Sequence, residues 1–342
     1  MSKKKTTIQD IANAVGLSKS TVSRALKDHP DITDRTKRMI NEAVSQHGYQ
    51  PNVFAQNFNK NRSNIIGIVV PDIERPYYAS IISGAQERAT QQKFFIVICQ
   101  SKDSLITEIN NLQTMVGLGV DGIIVCHSKE TSHFNEIRKI VNKGMPVLAI
   151  ERELGDVPTH FISNDHFVAG FMIGEHLTGV GYKHVAIIGG PENLQMSQQR
   201  IQGCIDGCKA NGVTVRTSDI YYCHFQRERE LAAVTNLLEK TERPDAIFCV
   251  YDRGAAEIMQ FLQKKHIAVP EEIGVAGSGN DPISQYLSPR MTTINQGPHK
   301  LGELAAEVLI NEITSGNGSV LTRQVIRPTL LARESTMRPV GI

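Results

Sequence analysis

The sequence of 342 residues lacks long apolar runs and familiar catalytic loops. No stretch approaches the ~20 consecutive apolar residues that a helix needs to span a bilayer. The N-terminal lysines of MSKKKTTIQ have no apolar run behind them, which predicts no signal peptide and a cytoplasmic location. Neither a Walker glycine-lysine-serine loop nor a G-x-S-x-G nucleophile elbow occurs. We therefore expect no membrane contact, and the sequence favours a protein that is not an enzyme.

Cysteine and histidine are present, but their spacing does not indicate a metal site. Cys204 and Cys208 are four residues apart on a predicted helix, yet no histidine follows at ligand spacing, which favours packing. The histidines are scattered along the chain. Most cysteines lie within apolar runs, as is typical of buried thiols in a reducing compartment. We expect neither a metal nor a cofactor. The six cysteines are Cys99, Cys126, Cys204, Cys208, Cys223 and Cys249.

Positive charge is concentrated near the N-terminus. Residues 1–62 hold 11 lysines and arginines against 5 acidic residues, whereas the whole chain carries a formal net charge of only +2. The first 62 residues are therefore basic and the remainder is mildly acidic. This asymmetry predicts an anionic partner for the N-terminal part alone.

The segment from Thr7 to Lys27 has the pattern of two short helices joined by a turn. Its first apolar stripe is helical and ends at Gly16. Ser18 can cap a second helix, which buries Val22 and Leu26. This arrangement predicts a helix-turn-helix, whose second helix fits the DNA major groove. An ordinary helical hairpin is the competing interpretation. The outer face of the second helix carries Lys19, Ser20, Thr21, Ser23 and Arg24.

A third helix and a hinge-like segment follow. Thr33 or Asp34 can cap the third helix, which ends near Gly48. Pro51 then interrupts regular structure, and Asn52 can cap a helix of about two turns that is too short to be stable alone. A polar linker comes next, so the segment is either a hinge or a plain tether. The predicted buried stripe of the third helix is Met39, Ile40, Ala43 and Val44.

From residue 65 onward, short apolar runs alternate with helical segments. Continuous hydrophobicity predicts parallel strands that are buried on both faces. The intervening helical segments predict right-handed crossovers, and therefore a doubly wound α/β architecture. About 270 residues are more than a single α/β domain with one sheet usually contains, so we expect two α/β lobes. Ligands should bind at the carboxyl ends of the strands. The predicted strands are 65–70, 94–99, 122–126, 146–150, 184–190, 245–250 and 273–278.

Several motifs together resemble the LacI/GalR family of transcriptional regulators. They include TIQDIANAVGLSKSTVSRAL, YQPNVFAQNF, IGIVVPDIERPYYASI, GYKHVAIIGGP and LSPRMTTINQ, which span nearly the whole chain. The resemblance implies a homodimer that binds pseudo-palindromic operator DNA, and a periplasmic-binding-protein-like core with a small effector, a sugar, between its lobes. It implies a head at 1–50, a hinge at 51–63 and a core at 64–342. The expected lobes are about 64–162 with 294–322, and about 163–293 with 323–342.

The resemblance also implies roles for residues of the head and hinge. Base contacts are expected from Lys19, Ser20 and Arg24 of the recognition helix. Phosphate contacts are expected from Thr21, Ser23, Thr33 and Asn52. In the hinge, Ala55 and Phe58 are expected in the minor groove, with Phe58 replacing the usual leucine wedge. Packing of Phe58 against Phe54 is the alternative interpretation.

For the cleft, the resemblance implies effector contacts from both lobes. Five of these residues also have a purely structural interpretation: core packing for the two tyrosines, a surface salt bridge for Arg200, a helix cap for Asp252 and a lobe tie for Gln296. The expected effector contacts are Tyr77, Tyr78, Arg200, Phe225, Asp252, Asp281 and Gln296.

Three departures from the pattern of the family occur in the cleft. Tyr251-Asp252 replaces a common Asn-Asp pair, and Gly279 replaces the usual acid, with Asp281 shifted along. Leu194 and Met196 occupy positions that are polar in the purine-responsive relative. These departures disfavour a purine and leave a sugar of unspecified identity. The competing functions are a solute-binding receptor and a nucleotide-using α/β protein, for which the lone G-S-G at 277–279 is a weak signal.

Overall fold

The computed structural model describes residues 6–49, 62–316 and 320–338. Contacts divide the chain into two compact units, Met1–Ser63 and Asn64–Ile342, here called the head and the core. Within the described ranges, no helix combines the length and apolarity required to cross a membrane.

The head contains the predicted three helices, α1 (Ile8–Val15), α2 (Lys19–Leu26) and α3 (Asp34–Gln46). Each begins at a hydroxyl cap. The Ser18 side chain accepts a hydrogen bond from the Thr21 backbone N–H at 3.1 Å, and Thr33 caps α3 by accepting from the Thr36 N–H. Gly16 ends α1 with a φ of 64°, which a residue without a Cβ adopts freely. The sequence prediction of the helix-turn-helix geometry is confirmed.

A small apolar core joins the three helices of the head. Ile11, Val22 and Ile40 are fully buried there. Met39 was expected in the buried stripe, but 41% of its surface is exposed, so that expectation is wrong. Ile40, Ala43 and Val44 of α3 do pack in this core, whereas the adjacent Met39 lies outside it.

The core contains two parallel sheets, as the apolar runs predicted. The first sheet has the order β11-β5-β4-β3-β1-β2, with all neighbours parallel. Helices that pack around it are α4 (Pro76–Gln91), α5 (Leu105–Gly117), α6 (Asn135–Asn142) and α12 (Pro298–Ser315). Its strands are β1 (Ile65–Val70), β2 (Phe95–Gln100), β3 (Gly122–Val125), β4 (Val147–Ile150), β5 (His160–Asn164) and β11 (Arg323–Ile326).

The second sheet has the order β7-β6-β8-β9 and is also parallel. Its strands are β6 (Val185–Gly189), β7 (Ile220–Tyr222), β8 (Ala246–Cys249) and β9 (Gly274–Ala276). Helices packed around it are α7 (His166–Gly179), α8 (Gln195–Ala210), α9 (Arg227–Leu238) and α10 (Asp252–Lys264). A short α11 (Ile283–Tyr286) follows, and single 3-10 turns occur at Thr217–Asp219 and Glu334–Thr336. The two sheets define the expected two lobes.

The chain crosses between the lobes three times. It passes from β5 to α7, from β9 through β10 (Thr293–Asn295) to α12, and from β11 to β12 (Thr329–Leu331). Strands β10 and β12 pair antiparallel between the lobes. The predicted second lobe began its last segment at residue 323, but β11 pairs with β5 in the first sheet. The last crossing therefore falls after Ile326, because this edge of the sheet is completed by a strand from the C-terminal part.

Strand β2 differs from the expectation of burial on both faces. Within the described part of the chain it pairs only with β1, so it is an edge strand there. Phe95 is 58% exposed and Ile98 is 42% exposed. A continuous apolar run therefore did not distinguish a central strand from this edge strand.

Within each lobe, one pair of helices packs closely enough to exclude a side chain. A Cβ built on Gly170 of α7 would lie 2.0 Å from the backbone oxygen of Arg200 on α8. In the first lobe, a Cβ on Gly302 of α12 would lie 1.9 Å from the backbone oxygen of Ile81 on α4. The first of these contacts fixes the backbone position of Arg200, which faces the cleft described next.

Candidate functional site

The exposed face of α2 carries the side chains that were expected to read DNA. Lys19, Ser20 and Arg24 are exposed, and neither cation forms an ion pair within the described part of the chain. Thr21 and Ser23 are half-buried beside them. Basic, unpaired side chains on the second helix of such a motif are free to contact base edges and phosphates.

The remaining residues expected to contact DNA are Thr33 of the head and three residues of the hinge. Thr33 is exposed, and its hydroxyl is already used as the cap of α3. Asn52, Ala55 and Phe58, with the hinge as a whole, lie outside the described residues. The hinge therefore stays a prediction from the sequence.

A cavity of about 760 Å³ opens between the two lobes of the core. It lies at the carboxyl ends of the strands, where ligands bind in open parallel sheets. Its volume is within the range of sites for small organic ligands. All seven residues that were expected to contact an effector line it: Tyr77, Tyr78, Arg200, Phe225, Asp252, Asp281 and Gln296.

Two tyrosines at the start of α4 form one wall of the cavity. Their rings meet edge to face, with centroids 5.6 Å apart. The Tyr77 hydroxyl accepts a hydrogen bond from Asn164 Nδ2 at 2.9 Å, whereas Tyr78 packs in the hydrophobic core with 6% of its surface exposed. Tyr77 therefore presents its ring to the cavity while its hydroxyl is oriented by Asn164.

Arg200 is buried at the back of the cavity, which rules out the surface salt bridge. It is 4% exposed, and its Nη1 donates to the Val250 backbone oxygen at 2.7 Å. Its Nη2 lies 3.2 Å from His166 Nδ1. Because a guanidinium can only donate, His166 Nδ1 is the acceptor and its proton resides on Nε2. The buried Nε of Arg200 has no hydrogen-bond partner in the protein.

The contact chain continues from His166 to the first lobe. His166 Nε2 lies 3.1 Å from Glu151 Oε2, and Asn164 donates from its backbone and side chain to Glu151 Oε1. Burial alone would raise the Glu151 pKa, but His166, Arg200 and Asn164 together lower that pKa to about 2. Burial lowers the pKa of His166, which keeps the imidazole neutral. Glu151 is therefore ionised. His166 lies between Glu151 and Arg200, which form no direct ion pair with each other.

Glu151, Asn164 and His166 were missed by the sequence analysis as parts of the site. Their partners are distant in sequence, so no local spacing reveals the network. Asn164-Asp165-His166 does carry a local signal, because Asp165 caps α7 by accepting from the Val168 N–H directly after β5. A strand that ends in a capped helix marks a position at the carboxyl edge of the sheet.

Asp252 is the most deeply buried acid of the second-lobe wall. It is 3% exposed, and its oxygens accept from the Thr293 hydroxyl at 2.6 Å and from the Asp281 backbone N–H at 2.7 Å. Burial raises the pKa of Asp252 to about 7, although these hydrogen bonds and Arg200 oppose the shift. The helix-cap interpretation is wrong, because α10 has no side-chain cap. Asp252 instead fixes the loop that ends at Asp281.

Phe225, Gln296 and Met196 complete the description of the predicted residues. Phe225 meets Tyr251 edge to face with centroids 5.0 Å apart, and thus forms an aromatic wall. Gln296 donates from Nε2 to the Ser278 hydroxyl at 3.1 Å, which supports the interpretation as a tie at the lobe crossing. Met196 lines the cavity, whereas Leu194 is 4% exposed and packs at the start of α8.

Comparison with known families decides what this combination represents. Residues 7–52 match the model of bacterial regulatory proteins of the lacI family. Residues 63–333 match the model of periplasmic binding proteins and the sugar binding domain of the LacI family. The chain belongs to the LacI family. It is a DNA-binding transcriptional repressor of that family, with the helix-turn-helix head and two-lobed core that the sequence predicted.

Relatives within the LacI family match along most of their length. The repressor PurR of Actinobacillus pleuropneumoniae serotype 3 is 28% identical over 307 residues, which cover 90% of this chain and 91% of that protein. A LacI-family structure from Alkaliphilus metalliredigens in complex with D-xylulofuranose is 28% identical, with a TM-score of 0.70, and covers 80% of this chain and 99% of the other.

The lac repressor dimer bound to operator and the anti-inducer ONPF has the same fold. Its TM-score is 0.86 at 20% identity, with 98% of this chain and 100% of that chain covered. This likeness supports the fold alone. The G-S-G at 277–279, considered for nucleotide binding, has a structural explanation in this LacI-family core: a Cβ on Gly277 would lie 2.2 Å from Asp252 Oδ1.

Proposed function

We propose that the repressor binds a pseudo-palindromic operator as a homodimer, and that a small sugar or sugar derivative in the cavity between the lobes controls its operator affinity. The observation that carries this proposal is the cavity of about 760 Å³, lined by side chains from both lobes. A ligand that touches two lobes favours one lobe arrangement over another, because it binds the arrangements with different free energies.

The chemistry of the cavity walls supports a polyhydroxylated ligand. Tyr77 and Phe225 offer aromatic faces on which a sugar ring can stack, and the unpartnered Arg200 Nε offers a buried donor. The LacI-family structure from Alkaliphilus metalliredigens, which is 28% identical to this chain, was solved with D-xylulofuranose. Met196 supplies an apolar surface at a cavity position for which a purine ring would need polar partners.

The head supports base-specific binding. Lys19, Ser20 and Arg24 are the proposed base contacts, and Thr21, Ser23, Thr33 and Asn52 are the proposed phosphate contacts. The hinge at 51–63, with Ala55 and Phe58 in the minor groove, is proposed to transmit the state of the lobes to the DNA.

The test uses the full chain, an operator fragment selected from genomic DNA and a panel of sugars, sugar phosphates and purine bases. A ligand that binds the folded protein raises its melting temperature. We expect a sugar or sugar derivative to raise the melting temperature and to change operator affinity in a gel-shift titration. A response to purine bases alone would overturn the sugar assignment, and absence of sequence-specific retention would overturn operator binding.

A further inference from the structure

The arginines of the cavity are already engaged by the protein. Arg75 pairs with Asp72 at 3.3 Å and Arg152 with Asp103 at 3.0 Å. Arg200 is held by the Val250 oxygen and by His166, as described above. The remaining two cavity arginines both pair with one carboxylate: Arg227 and Arg253 contact Glu257 at 3.3 Å and 3.7 Å.

The acids of the second-lobe wall are in the opposite situation. Asp281 forms no ion pair within the described ranges, and its Oδ1 accepts only from the Ile283 backbone N–H at 3.0 Å. Asp252 is held by two neutral donors, a hydroxyl and an amide. The nearby Asp281 charge disfavours ionisation of Asp252, so the two acids repel each other. Among the described residues neither acid forms an ion pair: Arg200 acts on Asp252 without contacting it, and Arg333 Nη2 donates to Asn280 Oδ1 at 3.1 Å.

Gly279 leaves the space beside the Asp252 carboxylate free of a side chain. The sequence comparison expected an acid at this position, but the residue has no side chain, and its φ is 140°. A Cβ placed there would lie 3.6 Å from Asp252 Oδ2, which is ordinary contact distance. The space that a side chain would fill is consequently available to a ligand atom beside Asp252.

The corner does not have the composition of a metal site. Within the described residues, the cluster of three potential metal-ligating side chains is Glu87, His299 and Glu303, and it includes neither Asp252 nor Asp281. Two carboxylates without a third ligand suit an ammonium group, which needs acceptors but no fixed coordination geometry.

We propose that the effector is an amino sugar whose ammonium group lies between Asp252 and Asp281, beside Gly279. This proposal rests on the proposed function, since it assumes that the effector binds in the cavity. The aromatic walls then hold the sugar ring, and the two acids select the amine over a hydroxyl.

The test compares matched ligands on the full-length protein by calorimetry. The probes are glucosamine, glucose and N-acetylglucosamine, with galactosamine, galactose and N-acetylgalactosamine as a second set. We expect at least one amine to bind tenfold or more tightly than both its neutral partners, which differ from it only at the nitrogen-bearing position. Equal or tighter binding of a neutral sugar would overturn the amine assignment and leave the proposed function standing. Failure of all six to bind, while purine bases bind, would overturn both.

Charge-neutral variants locate the contact. Asp281→Asn keeps the shape of the side chain but removes its charge, so we expect it to lose the tenfold preference for the amine over the neutral sugar. Glu271→Gln, an exposed acid before β9 at the opposite edge of the sheet, serves as the matched control and should keep the preference. An unchanged preference in a folded Asp281→Asn protein, checked by its melting curve without ligand, would place the amine elsewhere and overturn the proposal.

Discussion

The recognition face of α2 and the cavity of the core handle charge in opposite ways. In the head, Lys19 and Arg24 are exposed and pair with no acid of the described residues. In the cavity, each arginine already contacts a protein acceptor, while Asp281 has no basic partner there. A cation left free in a protein suits an anionic partner such as DNA, and an acid left free suits a cationic one. This contrast is the basis for the proposal that the two sites select ligands of opposite sign.

We expect the largest effect from removing Arg200, the buried cation of the cavity. Arg200→Ala leaves the Val250 backbone oxygen and His166 Nδ1 buried without their donor, so we expect the free energy of unfolding to fall by roughly 1–3 kcal/mol for each of these two acceptors. The effector response should be lost while operator binding is kept, because the head is a separate unit. Urea denaturation and gel shift with and without effector measure the two effects. The surface variant Arg138→Ala is the control, and a normal effector response in Arg200→Ala would remove this residue from the site.

Asp252, on the second-lobe wall of the cavity, makes the free energy of unfolding depend on pH. Burial raises the Asp252 pKa from 3.8 to about 7, so the folded protein binds a proton that the unfolded chain releases between these values. Stability from this group is therefore complete below about pH 4 and declines as the pH rises to 7, by on the order of 4 kcal/mol. Asp252→Asn should remove that slope.

Unfolding free energies of wild type and Asp252→Asn, measured at intervals from pH 4 to 8, test this expectation. The difference between the two proteins should shift in favour of the variant as the pH rises. Parallel curves across that range would mean that Asp252 titrates normally, and the corner beside Gly279 would then be better hydrated than its burial indicates.

These two predictions depend on contacts that the sequence could not supply. The apolar runs of β1, β3, β4, β6 and β8 were sufficient to predict buried parallel strands. The sequence analysis missed β5, β7, β10, β11 and β12, because short or mixed polar strands resemble loops when their neighbours are unknown. Strand order places β11 beside β5 across more than 150 residues, which no local pattern encodes.

The candidate site shows the same limit. Resemblance supplied seven cavity residues, including Arg200 and Asp252, because motif flanks are local. The partners Glu151, His166 and Thr293 follow from the fold, since each approaches from a different crossing or strand end. For this reason the sequence could not predict that the cavity arginines contact acceptors within the protein. Nor could it predict that the charge left unpaired in the cavity is negative.

In the head, a smaller effect is expected from a variant that tests whether Arg24 recognises a specific base. Arg24→Ala should weaken discrimination at one base position by roughly 1–3 kcal/mol, because a bidentate contact to a guanine edge is lost. Competition gel shifts with single-base operator variants measure it. Arg38→Ala, exposed on α3, should leave base preference unchanged. Uniform weakening on every DNA by Arg24→Ala would assign this residue to the phosphates instead.

The smallest predicted effect concerns the presentation of that face. Ser18→Ala removes the cap from the Thr21 N–H and should cost about 1 kcal/mol of head stability. Ser45→Ala, exposed near the end of α3, is the matched control and should have almost no effect. Hydrogen exchange of the α2 amides measures the difference, and equal protection in both variants would show that packing alone holds α2.

The seam between α7 and α8 constrains how such a repressor can diverge. Gly170 meets the backbone of Arg200 so closely that neither helix can slide without a collision. New ligand preferences must therefore arise by side-chain substitutions in the cavity, while the spacing between α7 and α8 stays the same. Gly279 constrains the wall in another way: a Cβ there would meet Asp252 Oδ2 at an ordinary contact distance of 3.6 Å, but the φ of 140° would strain any residue other than glycine.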